Sequence, residues 1–332
     1  MSRDQGHDAP PPRVACVGAA AIDRKFRLLG PAIAGTSNPA TASVAFGGVA
    51  RNVCENLARL GHAPLFFSAL GNDAAGHDLA RHLNACGAVT AHLLHVDNTP
   101  TAEYVAILDT AHNLQMGVFG AGAFDRLDRA YLQASWPAMA DASWIFADCN
   151  TPPDALAWLL TQAHGHGIRV AVDTVSVPKA RRLRGLLACV ALLVTNRDEA
   201  LHLLPEGPGM TTADMTTQDL ATALVRAGAG AGTVIVTEGA AGLSVADARG
   251  ARAIPAHPAT VADVTGAGDA LIGATLGALL DGAEIDTACR LGAAAAALTI
   301  ESRESVRPDL SRALVHATAR LPSPGAIKGH VP

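Results

Sequence analysis

The stretch Asp263-Val264-Thr265-Gly266-Ala267-Gly268-Asp269 is followed directly by a run of small and apolar residues from Ala270 to Leu280. This pattern predicts a glycine turn that opens a helix, with Asp269 on the first turn. The backbone N–H groups of the turn and the positive end of the helix dipole form a site for an anion. A carboxylate beside an anion is electrostatically unfavourable, and its best explanation is a general base that takes a proton from a hydroxyl attacking a bound phosphate. The alternative is an ordinary helix N-terminus, in which Asp269 only complements the dipole.

A second candidate motif is Phe46-Gly47-Gly48-Val49-Ala50-Arg51-Asn52. Gly47 and Gly48 allow a ligand to approach the backbone closely, and Asn52 offers both a donor and an acceptor to sugar hydroxyls. The alternative is a helix that begins after a tight turn, with Asn52 in solvent. Asp23 follows the first predicted strand, Val14 to Gly18, and is a candidate acceptor for ribose hydroxyls. An Asx-turn is the simpler local explanation for Asp23.

The composition limits the classes of function. The chain has 332 residues, of which 49% are hydrophobic and 17% charged, enough apolar content for a sizeable core. Its net charge is −5 and it has no basic stripe, which argues against a general affinity for nucleic acid. Its six cysteines are scattered without a C-x-x-C pair, and the start of the chain has no apolar signal segment. We therefore expect a cytoplasmic protein that acts on a small molecule and has no membrane span.

The middle of the chain alternates between predicted strands and helices. The predicted strands are Trp144–Ala147, Arg169–Val172, Ala191–Val194 and Val234–Val236, after an earlier one at Leu65–Leu70. The predicted helices are Asp154–His164, Lys179–Leu187 and Asp198–Leu204. This alternation predicts an α/β fold with a mostly parallel sheet covered on both faces, whose ligands bind at the carboxyl ends of the strands. We expect one domain over residues 13–321, with flexible tails at 1–12 and 322–332.

Two early segments interrupt this alternation. Thr101–Leu108 and Leu114–Phe119 are strand-like and flank a polar turn, which predicts a hairpin. Together with the segment before the second motif, this hairpin predicts a small β sheet that covers the site as a lid. The lid segments are placed at about 24–45 and 98–120. The alternative is an extra edge of the main sheet.

Further polar groups follow the predicted strands. Asp148 and Asn150 are candidate ligand contacts, with N-capping as their alternative. Asn196 and Glu199 lie about one turn apart and suit Mg²⁺ held through its waters, or else a capping pattern. Thr237-Glu238-Gly239-Ala240-Ala241-Gly242 suits a turn under a nucleotide, or else a plain hairpin turn. The sequence has no G-x-x-x-x-G-K-[ST] motif and no G-x-G-x-x-G after the first strand, which excludes a P-loop enzyme and the simplest dinucleotide site.

Taken together, the two glycine motifs resemble the N-terminal and C-terminal signatures of the ribokinase/PfkB family of carbohydrate and nucleoside kinases. The resemblance runs from about Val14 to Leu321. It implies a ribokinase-like three-layer α/β/α fold with a small β lid, and an ATP-dependent kinase that uses Mg²⁺ and an activating K⁺. A homodimer formed through the lid is a further hypothesis, because family members often associate in this way.

The resemblance also implies a role for each candidate residue. Asp269 would be the base that acts on a 5′-hydroxyl, and the anion hole would be formed by Gly266, Ala267 and Gly268. The substrate would be held by Asp23, Gly47, Gly48, Asn52, Asn150 and Thr101. ATP would lie along Asn196, Glu199, Thr237, Glu238, Gly239 and Gly242. Glu199 would hold Mg²⁺ through water, and Asp263 and Thr265 would bind K⁺.

Within the family the chain is most similar to pseudouridine kinases. Val49 stands where ribokinases carry Lys, and the segments Val175–Arg182 and Thr299–Ser302 also resemble that subgroup. Arg51 could then reach the substrate or the lid, or be a surface charge, and Lys179 could approach the ATP phosphates or stay in solvent. The alternatives are another nucleoside kinase or ribokinase of this family, or a non-catalytic nucleoside-binding protein.

Overall fold

The computed structural model describes residues 13–204, 214–228 and 232–321. The segments 1–12 and 322–332, which the sequence analysis predicts to be tails, lie outside the described residues. No helix within the described ranges is long and apolar enough to cross a membrane.

The described residues form fourteen strands and ten α-helices. The strands are β1 Val14–Val17, β2 Ala21–Leu28, β3 Ala40–Gly47, β4 Leu65–Phe67, β5 Ala69–Gly71, β6 Leu94–Val96, β7 Glu103–Leu108, β8 Leu114–Gly120, β9 Trp144–Asp148, β10 Arg169–Asp173, β11 Leu192–Asn196, β12 Thr233–Thr237, β13 Leu243–Asp247 and β14 Gly250–Ile254. The helices are α1 Val49–Arg59, α2 Ala74–Ala85, α3 Arg129–Met139, α4 Pro153–Gly165, α5 Val177–Ala180, α6 Arg197–Leu203, α7 Thr217–Ala227, α8 Ala267–Leu280, α9 Ile285–Ile300 and α10 Arg312–Ala319.

The main sheet has eight strands in the order β14-β13-β12-β11-β10-β9-β1-β4. The five pairs from β12 to β4 are parallel, and the two pairs that involve β13 are antiparallel. The mostly parallel sheet predicted from the alternation of strands and helices is therefore confirmed. Because the strands are parallel, the carboxyl ends of β1 and β9 to β12 meet at one edge, where ligands bind in such folds.

Both faces of this sheet are covered by helices. Along β9, Ile145 and Ala147 join a core with α3 to α7, whereas Trp144 and Phe146 join a second core with α1, α2, α8 and α9. Alternate residues of a strand point to opposite faces, so an almost continuously apolar strand is needed between two helical layers. The result is a three-layer α/β/α arrangement.

A separate four-stranded sheet has the order β3-β2-β7-β8. Strands β7 and β8 pair antiparallel, as the hairpin prediction requires, and β2 lies between β3 and β7. This sheet is built from the two segments expected to form the lid and is distinct from the main sheet. The backbone bond from Ile22 N–H to the carbonyl oxygen of Ala102 continues the pairing of β2 with β7 at the base of this sheet.

Two sequence predictions about local structure are wrong. The strand expected at Leu65–Leu70 is two strands, because the chain changes sheets at Ser68: β4 pairs with β1, and β5 pairs with β6. The helix expected over Lys179–Leu187 stops at Ala180 and continues as short 3₁₀ turns. There, Arg182 donates to the carbonyl oxygens of residues 149 to 151, and such long-range contacts override helix propensity.

Candidate active site

Asp269 lies on the first turn of α8, directly after the glycine turn. Gly266 precedes the helix with φ of 80°, and a Cβ atom at this position would overlap the carbonyl oxygen of Ser305. Only glycine combines this left-handed backbone with so close an approach. The Asp269 side chain is buried, and burial raises its pKa from 3.8 to about 7. Asp269 therefore has the pKa of a group that exchanges protons near neutral pH.

Asn52 brings the two glycine motifs into contact. It lies on α1, which packs against α8, and its Nδ2 donates to Oδ2 of Asp269 over 2.7 Å. This bond favours the charged carboxylate and partly opposes the effect of burial on the pKa of Asp269. The Oδ1 atom of Asn52 is buried without a hydrogen-bond partner. Buried polar atoms are nearly always bonded, so this oxygen is a candidate acceptor for a substrate hydroxyl.

Asp23 lies on β2 directly against Gly47. A Cβ atom on Gly47 would overlap the Asp23 carboxylate, and one on Gly48 would overlap the carbonyl oxygen of Ala19. The two glycines therefore let strand β3 and helix α1 meet β1 and β2 without a gap. Burial raises the pKa of Asp23, while the nearby charges of Arg51 and Lys25 lower it.

Arg51 is buried in the turn and points away from the surface. Its guanidinium donates to the carbonyl oxygens of Phe46 and Gly47 and forms an ion pair with Glu55 on the same helix. Only 2% of Arg51 is exposed, so a surface charge is excluded. The side chain supports the Gly47-Gly48 turn from behind.

Two carboxylates occupy neighbouring strand ends. Asp148 ends β9 and Asp173 ends β10, and the two residues are partners in the parallel register. Asp148 is fully buried and accepts backbone N–H groups from Ala19, Ala50 and Asn150 at 2.9 Å each, which ties β1, β9 and α1 together.

Asp173 is a candidate that the sequence analysis missed. Burial raises its pKa well above the usual range, and the charge of Asp269 adds to this increase. The missed signal is its position, directly after the predicted strand Arg169–Val172, where the strand-end rule places ligand-binding groups.

Asn150 and Lys179 form a polar pair beside these strand ends. The Nζ atom of Lys179 donates to Oδ1 of Asn150 over 2.5 Å, and burial lowers the pKa of Lys179. Oδ1 is engaged, and the side-chain amide also hydrogen-bonds with the Asp148 carboxylate, which leaves at most one N–H of Nδ2 for a ligand. Lys179 is thus not simply in solvent.

Asn196 and Glu199 form a capping box at the start of α6. Oδ1 of Asn196 accepts the Glu199 N–H at 2.9 Å, and Glu199 Oε1 accepts from Nδ2 of Asn196 at 2.7 Å. The other oxygen of Glu199 accepts from the Thr174 hydroxyl. With both carboxylate oxygens already bonded, Glu199 suits an outer-shell contact to the waters of Mg²⁺.

A cavity of about 180 Å³ lies between the β12–β13 hairpin, α9 and the start of α8. Three of the residues predicted to bind ATP line it, namely Thr237, Gly239 and Gly242, and so do Ala267 and Gly268 of the anion turn. The remaining lining is mostly Ala, Leu and Ile, as expected for a flat aromatic ring. Glu238 does not line this cavity and is exposed.

Asp263 and Thr265 lie at the start of the anion turn. Oδ1 of Asp263 accepts the N–H and the hydroxyl of Thr265 at 2.8 and 2.6 Å, and Oδ2 lies 3.1 Å from Nζ of Lys25 on β2. The Thr265 and Lys25 contacts lower the pKa of Asp263 against the opposing effect of burial. The four-stranded sheet thereby contacts the turn that leads to Asp269.

The side chain of Thr101 is buried and hydrogen-bonded within the protein. Its hydroxyl donates to Oδ1 of Asp73 at 2.7 Å and accepts the N–H of Gly71 at 3.0 Å. These bonds attach the start of α2 to the segment before β7, and they use the hydroxyl that the sequence analysis assigned to the substrate.

The sequence pattern of the pfkB family of carbohydrate kinases matches residues 11–311. The chain belongs to this family. It is 29% identical over 280 residues to the pseudouridine kinase of Escherichia coli, covering 84% of this chain and 87% of that protein. It is 27% identical over 261 residues to the ribokinase of Haemophilus influenzae, covering 78% and 82%.

Among solved structures, that of Arabidopsis thaliana ribokinase complexed with ribose and ATP matches with a TM-score of 0.79 at 23% identity, covering 95% of this chain and all of that chain. The ribokinase-like fold predicted from the two motifs is confirmed. The protein is a kinase that transfers a phosphoryl group to an alcohol.

Proposed function

We propose that this kinase transfers the γ-phosphoryl group of ATP to the 5′-hydroxyl of pseudouridine, giving pseudouridine 5′-phosphate and ADP. The observation that carries the chemistry is the contact between Asn52 and Asp269. It places a buried carboxylate of raised pKa, a glycine anion turn and an open amide oxygen in one cluster. In this proposal the carboxylate takes the proton of the alcohol, the turn holds the phosphoryl group and the amide oxygen positions the acceptor.

Asp269 acts as the general base in this proposal. Oδ2 is bonded to Asn52, and we assign Oδ1 as the atom that takes the proton of the substrate hydroxyl. The oxygen then attacks the γ-phosphorus in line with the departing ADP. The N–H groups of Gly266, Ala267 and Gly268 stabilise the charge that develops on the phosphoryl oxygens.

The sugar is held at the other glycine turn. Asp23 accepts from the vicinal hydroxyls of the ribose, and Oδ1 of Asn52 accepts from a hydroxyl nearer to Asp269. The absence of a side chain at Gly47 lets the Asp23 carboxylate lie against the turn, in the position from which it accepts in this proposal. The small sheet would close over this site as a lid and exclude water.

The uracil preference rests on the similarity to the Escherichia coli enzyme and on Asn150. Lys179 occupies Oδ1 of Asn150, so we assign the remaining N–H of Nδ2 to a ligand acceptor, and a uracil carbonyl oxygen is such an acceptor. A free ribose has no base with which to make this contact. The ribokinase reaction is the second candidate because the chain is also similar to a ribokinase.

ATP would enter the apolar cavity beside the anion turn. The Arabidopsis ribokinase, which shares the fold, was solved in complex with ribose and ATP. Mg²⁺ would be held through water by Glu199 and would supply charge neutralisation on the phosphates. Potassium would be held by Asp263 and Thr265, but Lys25 already places a positive charge on Oδ2 of Asp263. A cation at this site has to share Oδ2 of Asp263 with Lys25 or displace Lys25 from it.

The small sheet also supports a homodimer. Met116 and Val118 on β8 and Val44 on β3 are each more than half exposed, and the strand pairing places them on one face. Alternate residues share one face of a strand, so β8 presents an apolar stripe to solvent. We assign this stripe to a second copy of the chain, and the mass by light scattering tests this assignment.

The test of the proposed reaction is ADP release with purified protein, ATP, Mg²⁺ and K⁺. Pseudouridine, uridine, cytidine, adenosine, inosine and ribose are compared by kcat/KM. A clear preference for pseudouridine supports the proposal, whereas preference for another acceptor keeps the mechanism and overturns the substrate. No turnover with any acceptor, together with retained nucleoside binding, would favour the non-catalytic binding protein.

A further inference from the structure

Three potential metal ligands of different types meet outside the active site. Glu55 lies on α1, and His82 and Cys86 lie one turn apart at the end of α2. His82 Nε2 is 3.0 Å from Oε2 of Glu55, and Cys86 Sγ is 3.7 Å from Nε2 of His82 and 3.8 Å from Oε1 of Glu55. Within the described ranges this is the group of three such side chains that lie close enough to share one ion.

These separations match the edges of a tetrahedral zinc site. With Zn–N and Zn–O bonds of about 2.1 Å and a Zn–S bond of about 2.3 Å, tetrahedral angles place N and O about 3.4 Å apart and S about 3.6 Å from either. The measured separations differ from these values by a few tenths of an ångström, but the His82 distance is to Oε2 of Glu55 and the Cys86 distance is to Oε1, so the carboxylate has to turn to offer one oxygen to a shared ion. Small rotations of the side chains would therefore suffice for all three to bind one ion, with a fourth position left for water.

The surroundings also suit a metal. Only 2% of the Glu55 side chain is exposed, whereas His82 is one-third exposed, so an ion can enter from solvent on the α2 side. Arg51 and Arg59 donate to Glu55 and would hold the ligating carboxylate in place, as partners of metal ligands do. A thiolate, an imidazole and a carboxylate together favour Zn²⁺ over Mg²⁺ or Ca²⁺. The two guanidinium charges oppose cation binding, so we expect a site that fills and empties with free zinc.

The cluster is joined to the substrate turn. Arg51, the ion-pair partner of Glu55, donates to the carbonyl oxygens of Phe46 and Gly47, and the ring of Phe46 lies 4.9 Å from that of His82. A zinc ion between Glu55 and His82 would widen their 3.0 Å contact to about 3.4 Å and compete with Arg51 for the carboxylate, which changes both contacts at once. The turn that carries Gly47 would then shift relative to Asp23.

We propose that Glu55, His82 and Cys86 form a reversible Zn²⁺ site whose occupation weakens binding of the alcohol substrate. The metal site itself is independent of the proposed substrate. Only the effect on substrate binding rests on the proposed function.

Calorimetry with Zn²⁺ and absorbance titration with Co²⁺ test the site in the untagged, full-length protein. We expect one ion per chain, with thiolate-to-cobalt charge-transfer bands and tetrahedral d–d bands. Cys86→Ser and His82→Ala should each weaken binding at least about tenfold. Cys189→Ser, which alters another half-buried cysteine, is the control and should bind as the parent does.

Absence of one-to-one binding, or equal binding by the parent and both variants, would overturn the proposal. Glu55 itself is left unchanged in the test, because its removal would leave Arg51 buried without its partner.

A second measurement follows KM for the alcohol acceptor with and without Zn²⁺. We expect KM to rise in the parent and in Cys189→Ser and to stay constant in Cys86→Ser; a rise that persists in Cys86→Ser would place the inhibition elsewhere.

Discussion

Replacing Asp269 with Asn should make the protein more stable and, at the same time, inactive. Burial raises the pKa of Asp269 from 3.8 to about 7, a shift of about 3 units, which corresponds to about 4 kcal/mol. The folded state therefore holds this proton more tightly than the unfolded chain. Stability is greatest below the unfolded pKa and decreases as the pH rises from about 4 through about 7.

Above about pH 7 the folded protein carries a buried charge whose cost the Asp269→Asn substitution removes. The variant should gain up to about 4 kcal/mol in the free energy of unfolding at about pH 8, and about 2 kcal/mol at about pH 5. The Asn side chain still offers an oxygen to Asn52, so the hydrogen bond between the two helices is retained. Loss of the base should reduce kcat by about 10²-fold to 10⁴-fold.

The assays are urea unfolding at the two pH values and ADP release with pseudouridine. For the parent enzyme, kcat/KM should rise with pH through about 7, because the carboxylate form is the active one. Asp154→Asn is the control, since Asp154 also lies in a first helical turn but its side chain is 78% exposed. A variant that is equally destabilised at both pH values, or that keeps parental activity, would refute the assignment of Asp269 as a buried base.

Three further substitutions test other parts of the site. Gly47→Ala places a Cβ atom against the carboxylate of Asp23 and should raise KM for the nucleoside at least about tenfold, while KM for ATP stays nearly constant. Equal changes in both KM values would contradict the assignment of Asp23 to the ribose. Lys25→Met frees Oδ2 of Asp263 and should make kcat depend more steeply on the concentration of K⁺, with Na⁺ as the comparison ion. An unchanged response to K⁺ would show that Lys25 does not affect the proposed cation site. Asp148→Asn replaces one of the two carboxylate oxygens that accept three backbone N–H groups, and it should lower the free energy of unfolding by about 2 kcal/mol in a urea titration. An unaltered unfolding midpoint would show that these hydrogen bonds contribute little to stability.

The features that the sequence predicted correctly are those encoded over a few neighbouring residues. The alternation of apolar runs and helical segments was enough to predict the parallel sheet, because a strand of such a sheet is apolar on both faces. The two glycine motifs were enough to identify the family. Glycine at a turn before a helix has a local reason, as the left-handed backbone of Gly266 shows.

Contacts between distant segments could not be predicted in this way. Lys25 meets Asp263, 238 residues away, and Asp173 acquires its raised pKa from burial and from Asp269, a neighbour in space alone. Arg51 had three open interpretations, and only the packing of α1 decided that it supports the turn from inside. The sequence placed Asn150 after a strand, at the ligand-binding edge, but it assigned Lys179 to the ATP phosphates or to solvent. Only the structure shows that Lys179 donates to Asn150.

By itself, the sequence determined the layered α/β fold, the glycine turn before α8 and the kinase family, because periodicity and turn chemistry act between residues a few positions apart. The tertiary structure decided which charges are buried, which carboxylates face one another and which side chains are already bonded. These properties depend on desolvation and on distances between segments that are far apart in the chain, and both arise only when the sheet edge is assembled.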